Sequence, residues 1–137
     1  MGSKNRPDRY QVGKNHSFWQ SWLHALNGLK TVVVEERNMR THLVLGTLAL
    51  IAGWLVHLQV SEWLWLALAI FMVMLCEINN TLAENLCDLV TGPHFHPLAK
   101  KIKDIAAGAV VFAAGFAVIV GLILFVPKLW ALVSTGL

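Results

Sequence analysis

Apolar letters along this chain fall into four blocks, and each block carries its own pattern. In the first, Trp19, Trp22, Leu23, Leu26, Leu29 and Val33 are set against Gln20, His24, Asn27 and Thr31, which recur at helical spacing. A polar stripe opposite tryptophan and leucine predicts an amphipathic helix lying in a membrane interface over about 17–35. Its start, Ser17 to Gln20 (SFWQ), has the form of a capping box. The second block, 41–61, contains no Asp, Glu, Lys or Arg, and about 20 such residues suffice to cross a bilayer. The fourth block, 105–126, is the cleanest span. The third is odd. Its apolar run from Trp63 to Cys76 has fourteen residues, roughly 21 Å at the helical rise against about 30 Å of hydrocarbon. To finish crossing, that helix must carry Glu77 and Asn80 into or near the hydrocarbon.

Composition turns this pattern into a class. Of the 137 residues 56% are hydrophobic and 14% charged, against about 25% charged in soluble domains. A chain this short does not hide so much apolar surface from water by itself. The expected fold is therefore an all-α integral membrane domain over 17–137, with a flexible tail at 1–16. It has three transmembrane helices at about 38–60, 62–90 and 103–127, preceded by the N-terminal interfacial helix. The net charge of +3 argues little for nucleic acid, because the basic residues cluster beside apolar runs. Lys4, Arg6, Arg9, Lys14, Lys30, Arg37 and Arg40 precede the first span; Lys100, Lys101 and Lys103 lie between the second and third. By the positive-inside rule the N-terminus and the 91–104 connection face the cytoplasm. Cys76 and Cys87 stand about 16 Å apart along one helix, too far to bridge, and read as reduced filler.

The polar end of the third block, CEINNTLAENLCDL at 76–89, carries the candidate chemistry. On a helix Glu77, Asn80, Glu84 and Asp88 fall within an arc of roughly 80°. Ionisable groups at that depth are costly and usually face a bundle interior or a site. Glu36, in EERNMR, is placed to join Glu84 as a hard oxygen ligand for Mg²⁺, with substrate phosphates completing the shell. Lys103, in KKIKD, is placed to meet phosphate charge. Carboxylates, a divalent metal, an amide and a lysine are the parts of phosphoryl transfer. No phosphate-binding loop of the G-x-x-x-x-G-K-[ST] kind is present, nor a glycine-rich strand–helix turn. His94 and His96, in TGPHFHP, have the look of a metal pair but read better as loop residues. A competing reading from another class is a small oligomeric proton-coupled transporter, with Glu77 binding the proton and no consumption of ATP.

EINNTLAE (77–84), Asp88, EERNMRTH (35–42) and HPLAKKIKDIAAGAV (96–110) together resemble the prokaryotic integral-membrane diacylglycerol kinase family, over about residues 17–127. The similarity is greater to its Gram-positive branch, the undecaprenol kinases. Lys100 stands where the Gram-negative branch tends to have glycine, and Glu35 where that branch has an amide-type residue. The resemblance implies a homotrimer with composite sites at the cytoplasmic membrane boundary, acting on ATP with Mg²⁺ and on a lipid alcohol in the bilayer. It implies that Glu77 is the general base, Glu36 and Glu84 bind the metal, and Asn80 belongs to the same site. Lys103 and Asp104 match a pair used with the nucleotide phosphates, and Asp88 an acidic position near the nucleotide. The activity so implied is phosphorylation of undecaprenol to undecaprenyl phosphate in the bacterial plasma membrane; the alternative within the family is diacylglycerol to phosphatidic acid.

Overall fold

A computed structural model describes residues 17–134, so the expected tail at 1–16 lies outside the described residues. Those residues are helical throughout, in the order α1 (Phe18–Glu35), α2 (Arg37–Leu55), α3 (Val60–Thr91) and α4 (Pro97–Ser134), with no strand among them. The Ser17 hydroxyl starts α1 by accepting from the Gln20 amide at 3.2 Å. No residue of α1 is buried, and Trp19, Trp22, Leu23 and Leu26 are all exposed. Such a helix has its apolar face left for a membrane surface or another chain.

The second apolar block does not form one uninterrupted helix. α2 stops at Leu55, and His57 takes a left-handed φ of 53°. The His57 amide donates to Trp54 O at 3.2 Å and the Leu58 amide to Gly53 O at 3.0 Å, the paired bonds of a Schellman ending. Leu58 then folds back over Gly53, where an added Cβ would stand 2.8 Å from Leu58 Cδ1 and 3.1 Å from the Trp63 ring. Hydrogen there is what lets the turn close against α3. The α3 start is fixed by a true capping box between Gln59 and Glu62, with the Gln59 amide 2.7 Å from Glu62 Oε2. The same Glu62 oxygen lies 2.9 Å from Lys128 Nζ, tying the start of α3 to the end of α4. Beside this clamp Leu58, Leu66, Ala69, Val120 and Leu124 form the apolar core.

α3 and α4 have 32 and 38 residues, about 48 and 57 Å at the helical rise and well beyond the roughly 30 Å of hydrocarbon. Both are long and apolar enough to cross a membrane, with best-window mean hydropathies of 1.8 and 2.9. Within the chain only 33% and 17% of those windows are buried. A soluble core helix of that hydropathy would be mostly covered, so these apolar faces belong against lipid or other chains. α4 begins at Pro97, six residues before the expected span, because proline suits the first turn of a helix. The three lysines at 100–103 therefore sit on a helix and not in a loop.

Gly53→Ala should destabilise the protein by about 1–3 kcal/mol through overpacking, and His57→Gly should stabilise it by about 1 kcal/mol by relieving the left-handed residue. Thermal unfolding in detergent reads both; a Gly53→Ala protein that melts with the parent would contradict the close approach.

Candidate active site at the polar end of α3

The buried face of α3 changes chemistry part-way along. Leu66, Ala69 and Val73 are buried on it, and the same three- and four-residue spacing continues through Glu77 and Asn80 to half-buried Glu84 and buried Cys87. Glu77 is the most enclosed side chain among the described residues, at 1% exposure, with Asn80 at 7%. Three members of the stripe predicted from sequence, Glu77, Asn80 and Glu84, thus point inward, deepest at the carboxylate at its start, while the fourth, Asp88, is exposed.

Glu77 Oε1 is buried and accepts no hydrogen bond, and neither does Asn80 Oδ1. Asn80 does donate, from Nδ2 to Glu84 Oε1 at 2.9 Å, which turns its own oxygen away from Glu84. The Thr81 hydroxyl closes on the Glu77 carbonyl at 3.1 Å and leaves the carboxylate alone. Around Glu77 stand Glu36, Asn38 and His42 from the start of α2, and Glu84 from α3, all near enough to act on its charge. Glu36 is the half-buried residue at the break between α1 and α2. Within one chain, then, Glu36 from the α1–α2 break and Glu84 from α3 each lie near enough to Glu77 to act on its charge, and Asn80 bonds Glu84.

The remaining candidates form a second, more exposed group. Lys103 Nζ reaches Asp88 Oδ1 at 2.6 Å across α3 and α4, and its field extends to Glu84. Asp104, expected beside Lys103, forms an ion pair with Lys100 one turn back. Asp88, Thr91, His94, His96, Lys103 and Asp104 edge an open hollow of about 610 Å³. His94 and His96 are exposed there. Asn38 and His42 were passed over in the sequence, although both lie within the EERNMRTH stretch; their spacing from Glu36 gives no sign that they face α3.

The residues present fit a divalent cation of the Mg²⁺ type. The unpartnered Asn80 oxygen, Glu84 and Glu36 are hard oxygen donors, and since no group of three or more His, Cys, Asp or Glu set for a metal occurs among the described residues, phosphates and water would have to complete the shell. Mg²⁺ is commonly held this way, by one or two carboxylates with the rest of its shell from phosphates and water.

The profile of a family described as prokaryotic diacylglycerol kinase matches residues 23–125. The chain belongs to that family. Over 112 residues it is 42% identical to the undecaprenol kinase of Bacillus subtilis strain 168, covering 82% of this chain and 90% of that one. Over 127 residues it is 39% identical to a diacylglycerol kinase of Synechocystis, covering 93% and 71%. A diacylglycerol kinase of Helicobacter pylori is 32% identical over 91 residues, covering 66% and 70%. The protein is thus a lipid kinase of the membrane, and phosphate transfer takes the place of the transporter reading.

Glu77 is enclosed with one oxygen unpartnered, a burial that weighs against the fold more than its hydrogen bond with Asn38 supports it. Glu77→Gln, which keeps the shape and removes the charge, should melt no lower than the parent and rise by a few degrees, about 1 kcal/mol. A lower melting temperature in the same detergent would make Glu77 a structural pillar.

Proposed function

We propose that this kinase transfers the γ-phosphate of ATP to undecaprenol, giving undecaprenyl phosphate at the cytoplasmic face of the bacterial membrane. The observation that carries the site assignment is the inward stripe from Glu77 to Glu84; what favours the isoprenoid alcohol is the 42% identity to an undecaprenol kinase over most of both chains. Glycerolipid remains the second substrate reading, favoured by the Synechocystis and Helicobacter relatives.

Helical rise sets the depth of each group. Glu77 stands 17 residues into α3, about 26 Å from its start and hence near the inner edge of a roughly 30 Å hydrocarbon layer. Glu84 and Asp88 lie about 10 and 16 Å further, among headgroups and water. With the N-terminus and the 92–96 connection cytoplasmic, as the lysines and arginines favour, α2 would serve as the third span. Its 19 residues reach about 28 Å. Three such chains packed through their exposed apolar faces form the trimer we infer.

In this reading the lipid alcohol enters from the hydrocarbon and places its hydroxyl at Glu77. Glu77 accepts the hydroxyl proton as the oxygen attacks the γ-phosphorus; the bond from that phosphorus to the β–γ bridging oxygen breaks, and ADP leaves with it. Mg²⁺ supplies charge neutralisation on the phosphates. Glu36 and Glu84 would hold it, with Asn80 keeping Glu84 oriented and offering its own oxygen. Lys103 steadies phosphate charge, and Asp88 and Asp104 in turn hold the lysines of α4 in place at the hollow.

Purified protein in lipid should phosphorylate a C55 alcohol from ATP, and should prefer it when undecaprenol and diacylglycerol compete in one assay. Preference for diacylglycerol would move the substrate to the second reading. Glu77→Ala should lower transfer by about 10²–10⁴-fold, the usual worth of a general base; unchanged transfer would remove it from the chemistry. This reading places Glu36 and Glu84 of the same chain at one metal, so mixed oligomers of Glu36→Gln and Glu84→Gln chains should regain little activity. Substantial rescue would mean that neighbouring subunits share the metal site.

A further inference from the structure

Glu36 owes its place to an elbow one residue long. It is at once the last cap of α1 and the first cap of α2, with φ −92° and ψ 117°, extended between two helices. A single extended residue does not by itself set the angle between the helices it joins. The break also strands carbonyls in the last turn of α1. Val32 O is met by the Glu36 amide at 3.0 Å, while Val33 and Val34 have lost the helical amides that would follow.

Arg40 supplies them. From one turn inside α2 its Nη1 lies 2.6 Å from Val34 O and 3.3 Å from Val33 O, donating to both. A cation suits that position, where the carbonyl dipoles of α1 point. Among the described residues no carboxylate lies within ion-pair distance of Arg40. Its partners are backbone atoms across the elbow.

We propose that Arg40 is a positioning residue: by clamping the end of α1 onto α2 it fixes the elbow at Glu36, and so holds the Glu36 carboxylate near Glu77. The proposal rests on the reading of Glu36 as a metal ligand. Arg40 itself touches neither the metal nor the substrates. Lysine can reach one carbonyl with a point charge but lacks the planar fork of donors, so Arg40→Lys should restore the geometry only in part.

The test uses the full-length protein in lipid nanodiscs, with Arg40→Gln, Arg40→Lys and Glu36→Gln variants. Mn²⁺ binding is followed by electron paramagnetic resonance beside a non-hydrolysable ATP analogue. In a Cys76→Ala, Cys87→Ala background, nitroxides at the exposed positions of Leu26 and Leu48 report the distance between α1 and α2. Arg40→Gln should weaken Mn²⁺ binding by about five- to tenfold and broaden the α1–α2 distance distribution, with Arg40→Lys between it and the parent. Glu36→Gln should weaken Mn²⁺ at least as much and leave the distances unchanged. Distances unaltered in Arg40→Gln overturn the clamp, including the case where Mn²⁺ binding falls, which would mean that Arg40 acts on the nucleotide directly. Broadened distances with Mn²⁺ affinity within twofold of the parent overturn the link to Glu36. Mn²⁺ binding unchanged by Glu36→Gln removes the metal reading, and the proposal with it.

Discussion

A carboxylate withdrawn from water has to be neutralised, partnered or used, since the penalty for leaving it bare amounts to several kcal/mol even after the surroundings relax. Glu77 is enclosed at 1% exposure with one oxygen that accepts no hydrogen bond. The structure is arranged around that residue. Below it the buried face of α3 is Leu66, Ala69 and Val73, packed against α4 and the α2 turn. Above it the same face is amide and carboxylate, at Asn80 and Glu84. A kinase acting on a greasy alcohol needs such a boundary: a base reachable from hydrocarbon, with metal-binding oxygens one to two turns further out.

The rest of the fold fixes where along the helices that change of chemistry falls. At the far end, Gly53, His57 and the Glu62–Lys128 pair close the α2 turn on α3 and α4. This sets where α3 begins, and seventeen residues of helical rise then set where Glu77 arrives. At the near end α1 and α2 meet at Glu36, and the α3–α4 connection brings Lys103 to Asp88. The large exposed apolar surface of α1, α3 and α4 is the counterpart of this economy. A lone chain has little core of its own and leaves the remainder of its burial to lipid or to other chains.

Much of this was legible in the letters, and the misses have particular causes. The four helical blocks and the polar stripe follow from periodicity, which one sequence carries in full. Ser17 could be read as a cap because its chemistry is local. His57 reads from sequence as part of the outer connection, but the expected span still ran to about 60, since the turn at Val56–Gln59 has no glycine, proline or asparagine and relies on His57 to take a positive φ. The early start of α4 was masked by lysines that resembled a loop, although Pro97 was the available signal. Pairings across elements, Lys103 with Asp88 and Arg40 with the α1 carbonyls, depend on how helices pack and leave no trace in spacing. Asp104 was expected beside the phosphates with Lys103; its pairing with Lys100 is an i, i+4 contact that only the helical start of α4 creates.

The most direct measurement of the central claim is paramagnetic broadening by Mn²⁺. It needs protein in lipid bilayers, isotopically labelled at its asparagine, glutamate and histidine side chains, with a non-hydrolysable ATP analogue present. The account predicts that the Asn80 amide and the Glu84 and Glu36 carboxylates broaden first, Glu77 after them, and the His94 and His96 rings least. Broadening centred on the histidines, with Asn80 and Glu84 sharp, would contradict it.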